Sequence, residues 1–222
     1  QILKVLLNFF YGIIPNYGVA ILLLTIFVKI VMFPLTHKSY ESTSKMSGLS
    51  PKVMELKEKY KNNPQKMNQE ISVLYKKEGV NPVGGCLPLL LQMPIFIALY
   101  GLLSSHFELR GAGFMSPWIT DLSVADSIFS FAPSKLPVIG SDIRLLPILM
   151  ILTQLLSSKM MQTPDSANNA QMKMMTYMMP LMFLFILYDA PSGLLLYWTM
   201  TNVLTVIQQY FVNKFMKKKK SA

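Results

Sequence analysis

One apolar run with a single charge most constrains how this chain can fold. Residues 17–35 read YGVAILLLTIFVKIVMFPL, and Lys29 carries the one charge among these 19 residues. A helix of ~20 residues, rising ~1.5 Å per residue, crosses a ~30 Å hydrocarbon core, so the run predicts a transmembrane helix. A charged side chain inside hydrocarbon costs ~2.5–3.5 kcal/mol on insertion scales, so Lys29 marks a predicted functional site.

Four further apolar segments approach the length of a span. They are residues 86–103, 145–161, 174–188 and 194–212. The chain is 52% hydrophobic and 14% charged, whereas soluble domains carry about 25% charged residues. The sequence therefore predicts an all-α membrane protein in which five transmembrane helices form a bundle.

The basic residues are unevenly placed along the chain. Nine lysines lie in 36–85, two flank the 162–173 loop (Lys159 and Lys173), and five lie in the tail from Lys214, which accounts for 16 of the 21. With five spans, these three segments share one side, which predicts a cytoplasmic C-terminus and an outer N-terminus. The lysine-rich segments lack interleaved aromatic residues and a groove-reading helix, so no specific DNA binding is expected.

The segments outside the spans also carry local signals. Residues 1–15 are apolar and end at Pro15, which predicts an interfacial helix on the outer surface; the alternative is the end of an earlier span or linker. Because the chain begins with Gln1 and shows no signal peptide, we expect a processed or truncated product. Residues 104–143 form an outer loop with some local structure, whose Phe114, Trp118, Phe129 and Phe131 suit the membrane interface.

Residues 36–85 predict a cytoplasmic helical hairpin. Ser50-Pro51 and Asn63-Pro64 each place a capping residue before a proline, which is typical of a helix start. Gly79 is a typical C-terminal stop. Apolar residues recur at helical spacing after each start, so we expect two short amphipathic helices that move relative to the bundle. The tail at 213–222 ends in KKKKSA and is predicted to be disordered.

Several predicted spans carry one polar face. Thr25 and Lys29 are four residues apart and so share a helix face, Gln92 lies in the second span and Gln154 in the third. The fifth span holds a polar stripe: Trp198, Asn202, Thr205 and Gln209. Hydrogen bonding between packed helices is the alternative role, and we favour it for Thr153, Ser157 and Thr205.

Lys29 needs a different explanation because no Asp or Glu lies within any predicted span. The two alternatives are an inward water-filled cavity and simple snorkelling of the lysine stem toward Leu35. No nucleophile with a nearby base appears, so we expect no catalytic residues, no metal and no cofactor. The single cysteine, Cys86, is interpreted as a small core residue.

Three long motifs resemble signatures of the YidC insertase family. NPVGGCLPLLLQMPIFIALYGLL at 81–103, PSGLLLYWTMTNVLTVIQQ at 191–209 and VKIVMFPLTHKSYESTSKM at 28–46 carry the resemblance, and SPKVMELKEKY at 50–60 is similar to the family's cytoplasmic hairpin. The resemblance implies five core helices around a hydrophilic groove that is open to the cytoplasm and to lipid. Lys29 matches a position where the family usually has arginine, and Trp198 matches an aromatic groove position.

The resemblance also implies a function. It predicts a membrane protein insertase and chaperone of the bacterial inner membrane, not an enzyme, acting alone or with the Sec translocon. Nascent membrane proteins, the ribosome, the lipid bilayer and the signal recognition particle pathway are the implied partners. The predicted groove residues are Lys29, Thr25, Gln92, Gln154, Trp198 and Asn202, with the apolar part of a substrate sliding along the third and fifth spans. The alternatives are a small-solute transporter or channel and a passive assembly scaffold.

Overall fold

The computed structural model is mostly helical, and it describes residues 2–81, 87–105, 110–130, 142–161 and 170–221. Its helices are α1 (Ile2–Ile13), α2 (Tyr17–Gly48), α3 (Ser50–Lys59), α4 (Pro64–Lys77), α5 (Leu87–Ser105), α6 (Leu145–Met161), α7 (Ala170–Leu187) and α8 (Ser192–Ser221). Two short strands, β1 (Phe129–Ser130) and β2 (Asp142–Ile143), pair antiparallel. The all-α prediction therefore holds except for this pair, and Cys86 lies outside the described residues.

Helix α2 is longer than the apolar run that predicted it. The Asn16 side chain caps its start by accepting a hydrogen bond from the Val19 amide at 3.1 Å. The helix continues beyond Pro34 to Gly48, so the segment after Leu35 is at first helical and not part of the hairpin. Buried side chains on this inner extension, including that of Tyr40, pack against the protein. Tertiary contacts therefore sustain the helix past a residue that would otherwise end or kink it.

Helices α3 and α4 form the hairpin. The cap of α3 is Leu49 and not Ser50, which is already helical, and Leu49 makes no side-chain cap. Asn63 caps α4 as predicted, accepting from the Lys66 amide at 3.1 Å. Gly79 follows α4 with a φ of 65°, which favours glycine because a β-carbon is strained there. A Lys52–Glu78 ion pair at 2.7 Å joins the two arms.

Helix α8 lies at the centre of the helical bundle. It packs most extensively against α2 and α6, while α7 packs on α6 and α1 on α2. Helix α5 makes smaller contacts with α1, α2 and α8. The α8 helix also continues through the lysines to Ser221, so the prediction of a disordered tail is wrong.

A helix occupies each of the five predicted span segments, but they differ in length and apolarity. Among the described residues, α2 alone is both long and apolar enough to cross a bilayer by itself. The shorter apolar helical stretches are Ile2–Ile13, Leu90–Leu102, Leu145–Met160 and Thr176–Leu187. The count of five spans therefore stays a prediction.

The loop at 110–130 covers the first turns of α6 and α8. Oδ2 of Asp126, which is 3% exposed, accepts from the Leu145 and Leu146 amides at 2.9 and 3.0 Å and from the Trp118 indole at 2.9 Å. The Ser192 hydroxyl donates to the carbonyl oxygens of Asp121 and Val124. The unpaired amides that begin both helices thus find acceptors within the loop.

The loop aromatics are divided between inside and outside. Phe114 packs against Gly18, where any β-carbon would overlap its ring, and Trp118 is tied to Asp126. Phe129 is exposed, and Phe131 lies outside the described residues. Phe114 and Trp118 are therefore partly buried and pack against the apolar core.

A single apolar cluster fills the half of the bundle nearest this loop. It joins the first turns of α2, α6 and α8 to the loop, through Ala20, Ile21, Leu24, Ile119, Leu122, Leu146, Met150, Leu194 and Leu195. Further along α2 and α8 the buried side chains become polar: Thr25, Thr36, Ser39, Thr201, Asn202, Thr205 and Gln209. The bundle is thus apolar at the loop end and polar inside toward the hairpin end.

Candidate functional site

The Lys29 side chain crosses from α2 to α8. Its Nζ donates to Oγ1 of Thr205 at 2.6 Å, and the side chain is half-buried. The ion pairs found between described residues, Lys45–Glu41, Lys52–Glu78 and Arg144–Asp189, do not include it. The ammonium group therefore has a neutral partner on the neighbouring helix, and it does not extend along α2 toward Leu35 as simple snorkelling would require.

Thr205 joins two helices, as the sequence predicted. Its partner is the one charged side chain of the first span, so the hydrogen bond connects α8 to α2. The hydroxyl also donates to the Thr201 carbonyl oxygen of its own helix at 2.8 Å. Its spacing in the polar stripe of α8 was a signal, but the stripe alone did not say which helix would face it.

Trp198 forms an aromatic cluster with Phe96 and Phe183 beside this polar region. Its ring lies 4.8 Å from that of Phe96 in α5 and 5.2 Å from that of Phe183 in α7, measured between centroids. Its indole nitrogen donates to Oε1 of Gln154 in α6 at 3.2 Å. One tryptophan thus contacts three helices, and the structure brings two of the predicted site residues, Trp198 and Gln154, together.

Gln92 is held by a residue that the sequence analysis did not single out. Its Nε2 donates to the Tyr197 hydroxyl at 2.6 Å, which joins α5 to α8. Tyr197 is buried and lies next to the predicted stripe, so stripe spacing could not identify it. Gln92 itself is half-buried, like Lys29, Gln154 and Trp198.

The two remaining predicted residues are buried. Thr25 is 1% exposed, and its hydroxyl donates to the Ile21 carbonyl oxygen of its own helix at 2.7 Å. Asn202 reaches the Met150 carbonyl oxygen and Thr153 Oγ1 of α6 through long contacts of 3.4 and 3.5 Å. Both residues lie in helix–helix contacts, whereas the other four are partly open.

The site has a defined order along α8. Trp198 and Thr205 are seven residues apart, so they share a face at a separation of ~10 Å along the axis. Beyond them, Gln208 donates to Oγ1 of Thr36 at 3.1 Å and Gln209 donates to Asn213 at 3.0 Å. We define the polar face of α8 by Trp198, Asn202, Thr205 and Gln209. It runs from the aromatic cluster, past the contact with Lys29, toward the hairpin end.

This arrangement favours binding over bond-making chemistry. It offers one cation, several amides and hydroxyls, and an aromatic ring, and the hydroxyl beside Lys29 donates its proton to the Thr201 carbonyl oxygen and not to the lysine. Within the described ranges, no group of three or more His, Cys, Asp or Glu could hold a metal ion. A polar or acidic peptide is the kind of ligand that such a surface suits.

Comparison with known proteins identifies relatives across nearly the whole chain. Residues 9–220 match the family described as "60Kd inner membrane protein". The chain is 52% identical over 220 residues to the membrane protein insertase YidC of Treponema denticola and 46% identical over 222 residues to that of Treponema pallidum. A YidC of Rickettsia prowazekii is 45% identical over 217 residues.

The chain spans less than two-fifths of the length of these relatives. The matches cover 98%, 99% and 94% of this chain but 38%, 36% and 37% of the respective proteins. A crystal structure described as an active YidC insertase with the first transmembrane domain resolved superposes with a TM-score of 0.70 at 27% identity. That match covers 95% of this chain and 46% of the crystallised one.

Proposed function

The chain belongs to the YidC family of inner membrane insertases, and we propose that it carries the insertase's membrane core, which moves polar ends of nascent membrane proteins across the bilayer. The Lys29–Thr205 contact carries this proposal, because it places an uncancelled positive charge on the polar face of α8. In this proposal the protein lowers the free energy of crossing by solvating the polar flank and attracting its charge, without a covalent step.

The first step in this proposal is entry of a polar substrate flank. The bundle offers hydrogen-bonding side chains at the depth where hydrocarbon would offer none, which lowers the desolvation cost of crossing.

The second step is charge attraction. An acidic flank would approach Lys29, whose present partner is a neutral hydroxyl. The apolar cluster beneath the outer loop closes the far side, so the flank is held part-way across and not released through a channel. This closed end argues against a small-solute pathway open to both sides.

The third step is lateral release of the apolar segment. Helices α5 and α7 flank the polar face and carry rows of exposed apolar side chains: Leu90, Met93, Ile97, Met174, Met178, Met182 and Phe185. We therefore propose that a substrate slides along α5 and α7 as well as along the third span, where Ile148, Leu152 and Leu156 of α6 are also exposed. On α8, which forms the fifth predicted span, exposed apolar side chains lie in its second half, at Ile207, Tyr210 and Phe211.

The orientation and partners follow the same proposal. The lysine-rich hairpin and the end of α8 would face the cytoplasm, where they could meet nascent chains and the ribosome, and α1 would lie at the outer interface. Exposed Ile2, Val5, Phe9 and Ile13 on α1 support that placement. We include docking to the Sec translocon or to the signal recognition particle pathway because the chain belongs to this family, and no contact among the described residues supports it separately.

Reconstitution into pure lipid vesicles tests the proposal. Wild-type protein should translocate the terminus of a single-span substrate with an acidic flank, measured by protection from external protease. Lys29→Ala should lower that insertion about tenfold, while a neutral-flanked substrate should change less than about twofold. Equal translocation by protein-free vesicles would reject the insertase function, and binding without translocation would indicate a passive scaffold.

A further inference from the structure

The Thr205 hydroxyl makes two hydrogen bonds of opposite direction. A hydroxyl offers one donated proton and two acceptor sites. Thr205 donates its proton to the Thr201 carbonyl oxygen at 2.8 Å and accepts from Lys29 Nζ at 2.6 Å.

The Thr205 oxygen can act only as a hydrogen-bond acceptor toward α2. Its single proton is already donated within α8, to the Thr201 carbonyl oxygen. Thr205 is 8% exposed, so water competes little for its hydroxyl. It lies where the Lys29 ammonium reaches α8, and a buried acceptor there is a strong anchor for a cation.

The identity of the anchor matters as much as its position. A carboxylate in place of Thr205 would also hold the lysine, but it would cancel the charge. A hydroxyl occupies one of the three ammonium donors and leaves the charge available. Without any anchor, the flexible lysine stem could turn toward Leu35, ~9 Å further along α2, and carry the charge out of the bundle.

We propose that Thr205 is a positioning residue that holds the Lys29 ammonium on the polar face of α8 and so sets the preference for acidic substrate flanks. This inference rests on the proposed insertase function. It goes beyond that function by assigning the selectivity to a hydroxyl that is not required to contact the substrate.

Two substitutions at one position separate the hydroxyl from the packing. Thr205→Val keeps the branched shape and removes the hydrogen bonds, whereas Thr205→Ser keeps the hydroxyl and removes a methyl group. In reconstituted vesicles, Thr205→Val should lower insertion of an acidic-flanked substrate about fivefold, the size of one ordinary hydrogen bond, and should lower insertion of a neutral-flanked substrate less. Thr205→Ser should behave like the wild type for both substrates.

A second measurement follows the lysine itself. A membrane-impermeant amine reagent, added from the hairpin side, should modify Lys29 faster in Thr205→Val than in the wild type or Thr205→Ser, as measured by mass spectrometry of the α2 peptide. A purely structural role would lower insertion of both substrates together and would leave the order of these rates unchanged.

The two proposals fail in different ways. If wild-type vesicles insert acidic-flanked substrates and Thr205→Val matches them at the wild-type modification rate, the positioning role is wrong and the insertase function stands. If wild-type vesicles insert nothing while the modification rates still differ, the hydroxyl anchor stands and the insertase function is wrong. Circular dichroism melts of each variant check that the helices remain folded.

Discussion

At the scale of single residues, Lys29 shows how a membrane protein can retain a charge without neutralising it. Burying a charge is costly unless it is paired or solvated. Its partner among the described residues is one hydroxyl oxygen, at 2.6 Å. Such a contact satisfies a donor but leaves the net charge, which is the property needed to attract an acidic guest.

Cysteine accessibility along α2 tests which side chains face the polar region. In a Cys86→Ser background, a membrane-impermeant thiol reagent added from the hairpin side should label a cysteine at position 29 but not one at 25 or 27. Thr25 is 1% exposed, and Phe27 is 40% exposed on an apolar side. Labelling would be read as a mass shift. Strong labelling at 25 would show that the α2–α8 contact opens, and labelling at 27 would place water on the supposed lipid face.

The sequence could identify Lys29 but not its partner. An apolar run with one charge, in a chain whose predicted spans contain no carboxylate, is a strong local signal. The contact with Thr205 lies 176 residues away along the chain, and it depends on which helices become neighbours. The same limit explains why Tyr197 was missed and why Thr25, correctly placed on the Lys29 face, turned out to be buried.

At the scale of elements, the outer loop acts as a cap for two helices. The Ser192 amide donates to the Val124 carbonyl oxygen at 2.8 Å and the Gly193 amide to that of Leu122 at 3.0 Å. Asp121 shapes this part of the loop by accepting from the Ser123 hydroxyl and amide at 2.7 and 2.8 Å. The closed end of the bundle thus depends on the geometry of a short polar turn.

The Asp121 carboxylate should make this cap sensitive to acid. Burial acts to raise its pKa, but hydrogen bonds from Ser123 and the Gly111 amide, with the nearby Arg110 charge, lower the pKa below its ordinary value. The stabilisation is therefore present above the unfolded-state pKa of ~3.9 and is lost as the pH falls through the lower folded-state value.

Hydrogen exchange can measure that loss. After correction for intrinsic rates, exchange of the Gly193 amide should accelerate as the pH falls below ~4, the carboxyl range. Asp121→Asn should already exchange faster at neutral pH and should lack the acid-dependent step. Ser123→Ala, which keeps the charge, is the matched control and should shift the step to higher pH. A wild-type rate that stays flat through this range would contradict the role of Asp121.

Helix boundaries match the local sequence signals where no tertiary contact competes with those signals. Asn63-Pro64 and Gly79 set the ends of α4 as predicted, because a cap and a positive φ are properties of a few adjacent residues. Pro34 did not end α2, since packing of the inner extension against α8 outweighs a local break, as the Gln208–Thr36 contact shows. The short sheet pairs Phe129 with Ile143 and Ser130 with Asp142, and this pairing has no comparable local signal.

At the scale of the whole molecule, three properties are arranged along one axis. The bundle is apolar beneath the loop at 110–130, polar inside its other half, and rich in lysine at the hairpin end. This asymmetry fits the proposed one-sided entry of a polar flank followed by lateral escape into lipid.

Deleting the hairpin tests whether receiving a substrate and inserting it are separate tasks. The hairpin packs mainly within itself and against the inner end of α2, and α4 has no buried residue. Replacing residues 50–79 with a short Gly/Ser linker should therefore leave the bundle folded, with an unchanged melt. Crosslinking of nascent chains and ribosomes should fall severalfold, while insertion of a substrate already at the membrane should fall less.

Gln substitutions at Lys66, Lys76 and Lys77 form the matched control, separating the hairpin's charge from its shape. If the deletion abolished insertion but left crosslinking intact, the hairpin would belong to the insertion step itself, and the division between a receiving hairpin and an inserting polar face of α8 would be wrong.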